Sequence, residues 1–341
     1  MRKTLFTLVT VGDVRGFRMD EKRKVLVLLL IFCSLLVSVT KVGIVKADTT
    51  IYIKQSGDIE STELIERDGD VYRFTGDINV PIIVERNNIV IDGNGYTLDG
   101  PRAGVAINLT TSNVTVKNIQ IMDWNTGILG VYNNNTILDN AITGCNSGMK
   151  IYTKEYKIIG NYIANKDVGI LLGPGSELNI VSKNHIANNT FGLRLIGYAS
   201  DSMNVIVENI IAFNDEGIFV WWHRDRIVQQ IYRNNFINNV QQVSIVGASP
   251  IFGKKASSTW NNGSEDNYWS DYNGTDPDIN GIGDTTYVIG DKDIDIYPLM
   301  GPVDVDVIPE FPLWIIFPLF LTLTLFVVTC RKRMKKSCQD G

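Results

Sequence analysis

Between residues 114 and 246 the apolar positions come in short alternating runs, each closed by Asn or Gly. An Asn-x-Ile pattern recurs at Asn140, Asn161, Asn184, Asn209 and Asn235, with Asn118…Ile121 one residue longer. Six residues after each isoleucine stands Gly127, Gly148, Gly169, Gly192, Gly217 and, in the last copy, Val243. The isoleucine-to-isoleucine steps are 21, 21, 23, 25 and 26 residues. A fixed inner spacing with a variable outer one predicts a rigid strand-turn-strand unit with its insertions gathered in one loop. Three strands of three to five residues within each step leave no length for helices or hairpins. They predict an all-β fold, a right-handed single-stranded parallel β-helix whose coils stack about 4.8 Å apart. Asn tolerates left-handed backbone, and Asn residues at one point of successive coils can pass amide hydrogen bonds along the stack. Asn118, Asn140, Asn161, Asn184, Asn209 and Asn235 are therefore expected to form a structural ladder.

Two longer apolar runs frame the repeats. Residues 25–40 follow Lys22, Arg23 and Lys24 and lead to a small residue, Ala47, before Asp48. This is the layout of a secretory signal over residues 1–47, with Met19 as a candidate start. Residues 311–330 supply twenty largely apolar positions, enough at about 1.5 Å per residue to cross a hydrocarbon core of about 30 Å as a transmembrane helix. Arg331, Lys332, Arg333, Lys335 and Lys336 follow directly, which keeps residues 331–341 cytoplasmic and places the repeats outside. The expected order is signal helix 1–47, N-terminal cap 48–80, β-helix of seven or eight coils 81–250, acidic cap 251–300, linker 301–310, membrane span and basic tail. The chain is thus expected to be exported to the cell surface and anchored in the cytoplasmic membrane.

The formal net charge of −5 conceals a division. Both ends are basic, and residues 48–300 carry 18 Lys/Arg against 30 Asp/Glu. A body this acidic repels a phosphate backbone, so nucleic acid is excluded as a partner. Cys145 is the one cysteine in that body, so the exported part has no internal disulfide.

Residues 265–295 hold nine acids against Lys292. Within them Asp276, Asp278, Asn280 and Asp284 fall at positions 1, 3, 5 and 9 of a calcium-type loop, with Gly281 at position 6 and the Ile282 carbonyl at position 7. Tyr287 stands at position 12 where a bidentate acid belongs. Calcium is the cofactor this pattern suggests. Copper needs clustered His, Met or Cys. The two histidines, His185 and His223, lie in different repeats, and Cys145, Met149 and Met203 are scattered, so the ligand count argues against it.

A sugar site is suggested by Trp221, Trp222, His223, Arg224 and Asp225. Indole faces stack on pyranose C–H groups, and forked guanidinium donors orient hydroxyls or carboxylates. The outward positions after the repeat glycines are Leu129, Lys150, Leu171, Arg194 and Phe219, with no acid among them. A hydrolase or lyase would need carboxylates supplied by loops.

The repeats, with Asn88-Ile-Val-Ile-Asp-Gly-Asn-Gly-Tyr-Thr-Leu-Asp-Gly100 and Asn267-Tyr-Trp-Ser-Asp-Tyr272, resemble NosD-like right-handed β-helix proteins over roughly residues 50–300. That family overlaps the carbohydrate-binding and sugar-hydrolase β-helix group. Its name comes from a copper-related role in nitrous oxide reductase maturation. Ile308-Pro309-Glu310-Phe311-Pro312 resembles the PEF-type sorting signals of archaeal surface proteins, which implies exchange of the span for a lipid anchor. The expected function is non-catalytic binding of glycan or another ligand at the cell surface. The alternatives are a polysaccharide lyase or glycoside hydrolase, and a copper-binding maturation factor.

Overall fold

The structure, a computed structural model, describes residues 50–197, 203–222, 229–246, 258–261, 263, 266–290 and 293–305. The apolar runs at 25–40 and 311–330, the tail and the sorting-signal resemblance lie outside these residues. Among the described residues every regular element is a strand, and no helix is long and apolar enough to cross a membrane.

Each coil visits three sheets in turn, as with Thr126–Gly130, Thr136–Leu138 and Ala141–Thr143 before the chain returns to Ser147–Ile151. The first sheet has ten described strands, the second nine and the third eight, parallel along the stack except for one antiparallel strand at the edge of each of the first two. The coils begin within the segment expected as the N-terminal cap. Ile51–Ile53 pairs in parallel with Ile82–Val84, and Val71–Phe74 with Ile89–Asp92. Antiparallel strands Ile59–Glu60 and Ile65–Asp68 then cover the open edges of the first and second sheets, where unpaired N–H and C=O groups would recruit other chains.

The core is a set of stacked columns. One runs Leu98, Ile121, Ile142, Ile163, Ile186, Ile211, Phe236 and Trp269 through the third sheet. Another runs Tyr72, Ile91, Val116, Ile137, Ile158, Val181, Ile206 and Ile231 through the second. All are buried, each side chain contributing about 1.5–3 kcal/mol of transfer free energy. A Cβ on Gly127, Gly148, Gly169, Gly192 or Gly217 would meet a main-chain oxygen of the next coil at 2.5–2.6 Å. Glycine recurs there because the backbones come too close for any side chain.

Asparagine marks all three corners of the coil. Between second and third sheets, the side-chain oxygens of Asn161, Asn184, Asn209, Asn234 and Asn267 each accept the backbone N–H of the preceding member, beginning from Asn140, at 2.9–3.0 Å. Between third and first sheets the same pattern links Cys145, Asn165, Asn189, Asn214 and Asn239. Between first and second sheets it links Tyr156, Asn179, Asn204 and Gln229. Two members of the expected ladder lie beside it. Asn118 occupies the left-handed position before the rung, with φ 56°, and bonds Asp92; the rung itself is Ile119, whose N–H donates to Asn140. Asn235 follows the rung Asn234 and instead bonds the Val303 backbone in both directions. Phe236 is consequently in the core.

Candidate functional site

The outer face of the first sheet presents the most varied surface chemistry. Leu129, Lys150, Leu171, Arg194, Phe219 and Ser244 stand in register, one per coil, and are half-buried. Strict alternation fails at the start of each strand, where two successive residues, such as Gly192 and Leu193, are buried. Residues three apart therefore face out together, and Phe191 joins Arg194.

The Arg194 guanidinium lies 5.1 Å from the Phe191 ring centre and 5.3 Å from that of Phe219. The two rings meet edge to face at 5.3 Å. Such contacts fix a cation without neutralising it. Arg194 Nε is buried with no hydrogen-bond partner among the described residues. Glu216, level with Phe191 in the next coil, also has one buried oxygen without a described partner.

Two residues further along stand Tyr152, Gly173, Ile196, Trp221 and Val246, the last three in direct register. Tyr152 is 40% exposed, and its ring fills the space a Cβ on Gly173 would need. Trp221 is half-buried between Ile196 and Val246 of the adjoining coils. Tyr152 and Trp221 are three coils apart, about 14 Å at the usual strand spacing. Aromatic surface thus stands at each end of a low shelf of glycine and isoleucine, with Arg194 beside it.

Of the residues expected in the sugar site, Trp221 and the main chain of Trp222 are described, while His223, Arg224 and Asp225 lie outside the described residues. Tyr152, Phe191, Arg194 and Glu216 complete the face. Their signal was the inter-coil step, which brings residues 21–26 positions apart into contact.

The expected calcium loop closes on itself. Asp276 accepts the N–H groups of Asn280 at 3.1 Å and Gly281 at 2.9 Å, and Asn280 bonds Asp278 and the Ile282 N–H. Asp284 gives its N–H to the Thr275 carbonyl. Among the described residues no group of three or more His, Cys, Asp or Glu is placed to hold a metal ion, so calcium gains no support. The soft donors stay apart. Cys145 is a buried corner residue whose thiol is pushed up to about 11 by burial, Met149 points into the core, and His185 packs edge-on against Tyr162 at 5.3 Å.

A comparison with curated proteins gives no match. The family model described as "Periplasmic copper-binding protein (NosD)" matches residues 37–274, which span the stacked coils and the Tyr268–Trp269 strand. With most of its length covered and its repeats folded as a parallel β-solenoid, the chain belongs to the NosD family.

Proposed function

We propose that this NosD-family chain is an exported, membrane-anchored surface protein that binds glycan along the outer face of its first sheet, without catalysis. The observation that carries this reading is the face made by Tyr152, Trp221 and the Phe-clamped Arg194. Stacking surfaces for sugar rings flank a cation that no described acid neutralises, which favours uronate-bearing or sulfated polymers over neutral ones. Among the described residues Glu216 is the one acid in these outward columns, and glycoside cleavage uses two.

Copper, which the family description carries, does not fit the described residues. The Cys145 thiol keeps its proton because it is buried, Met149 is enclosed by core, and His185 is packed on Tyr162 in another sheet. No step of the proposal runs through a metal.

Binding of the purified full-length protein to an array of neutral and acidic polysaccharides tests the reading. Wild type is expected to retain acidic polymers, with affinity falling about tenfold in Arg194→Gln and in Trp221→Ala, the loss of roughly one charge-assisted bond or stacked ring. Retention of no polymer, or equal retention by all three proteins, refutes it. Copper bound at one equivalent by the wild type and lost in His185→Ala would favour the maturation factor.

A further inference from the structure

At the far end of the stack two carboxyl groups are buried together, away from the binding face. Asp266 and Asp295 are both 0% exposed. They converge on one donor: the Tyr297 N–H reaches Asp266 Oδ2 at 2.6 Å and Asp295 Oδ1 at 3.2 Å. Asp295 Oδ2 also accepts the N–H of Asn267, the last asparagine rung, at 3.0 Å and the indole N–H of Trp269 at 2.8 Å. Asp266 Oδ1 is buried and has no hydrogen-bond partner among the described residues.

Two negative charges in so dry a place repel each other, and each loses its hydration. Further acids stand close by. Asp293, two residues from Asp295, accepts the Ser258 N–H and the Trp260 indole. Tyr287, stacked on Trp269 at 4.3 Å, holds its phenol proton more tightly through burial and the charges of Asp271 and Asp295. Arg233 donates a backbone N–H to the Asp266 carbonyl and sends its guanidinium to Glu208 at 3.3 Å.

We infer that Asp266 and Asp295 share one proton, and that this proton is the latch that keeps the C-terminal end of the solenoid closed. With it, Asp266 donates to Asp295, and the single remaining charge is met by the Asn267, Trp269 and Tyr297 N–H groups. Without it, the two carboxylates part. Asp295 then releases the last rung and the indole that stacks on Phe236 at 4.2 Å.

The direction with pH follows. Burial, then the hydrogen bond and charge of Asp295, push Asp266 up to about 8 from an ordinary 3.8. A carboxyl raised on folding lends stability that is complete below the lower value and is lost as pH climbs to the upper one. The latch is therefore strongest in acid, weakens progressively as pH climbs from about 4, and is spent above about pH 8.

Limited proteolysis of the full-length protein, with each rate divided by that of an unfolded reference peptide, reads this out. Between pH 6 and pH 9 cleavage within residues 258–305 should quicken by up to about a hundredfold, most of it by pH 8, while the coils before residue 246 stay protected. In Asp266→Asn, whose amide still bonds Asp295, the rate should not change with pH. An equal rise in the variant, or no rise in wild type, overturns the proposal. Infrared difference spectra of wild type give a second reading that needs no variant: a protonated-carboxyl band at pH 6.5 that vanishes in alkali, its absence refuting the shared proton. Calcium restoring protection at pH 9, reversibly with chelator, would make the site a cation site and also overturn it.

Discussion

At the scale of single residues, a ladder asparagine does more than turn the chain. Asn184 donates its N–H to Asn209 and its amide to Asn209, Ile158 and Ser182, and its oxygen accepts from Asn161. Asn184→Leu orphans buried groups on two coils at about 1–3 kcal/mol each, so a loss of about 3–5 kcal/mol is expected, read as a lower melting temperature. An unchanged melting curve would deny the ladder its role. The left-handed geometry belongs to the residue before the rung: Asp139, Lys183, Glu208 and Arg233 at one corner, Leu178 and Phe213 at the others, all with φ near 55°. Phe213 is 57% exposed, so glycine there relieves backbone strain and gives up little packing. Phe213→Gly should raise stability by up to about 1 kcal/mol in chemical denaturation.

This distinction explains how far the asparagines could be read from the chain. The column from Asn140 to Asn209 was legible because each rung sits two residues before a buried isoleucine. Asn118 and Asn235 misled because the left-handed position and the residue after the rung also favour asparagine. A pattern distinguishing them was present but unread. Asn179, Asn184 and Asn189 recur 25 residues on as Asn204, Asn209 and Asn214, and again as Gln229, Asn234 and Asn239. One polar amide every five residues marks three corners at once.

At the scale of elements, the first sheet owes both its glycines and its outer face to the same irregularity. Two inward residues in succession bring the backbones together at Gly169, where a Cβ would sit 2.5 Å from the Gly192 oxygen. Gly169→Ala should cost about 2–3 kcal/mol, visible as an earlier unfolding midpoint in urea. That break in alternation is also why the pairing of Phe191 with Arg194 escaped a reading based on period two. The column of Arg194 and Phe219 was legible, because it depends only on the repeat step. The clamp was not, because it depends on a local departure from the strand period.

At the scale of the molecule, the coils are interchangeable where their three corners agree. Deleting residues 190–214 joins Asn189 to Asp215 and leaves each ladder in step. The shortened protein should remain β-rich by circular dichroism and melt cooperatively. Removing 190–213 instead shifts the following strands by one residue, turns their core faces outward, and should yield aggregate. Survival of both deletions would mean that the corners do not set the register.

From Val114 onward the length differences between coils have a single home. There the connection from the third sheet back to the first is constant, as in Thr143 to Ser147 and Ala212 to Glu216, whereas from the first sheet to the second it grows from Gly130–Thr136 to Trp222–Gln230 with the strand itself lengthening. That growing connection leaves the sheet beside Tyr152 and Trp221. Inheritance can therefore rewrite what this face presents, one loop at a time, while the corners that hold it upright are copied unchanged.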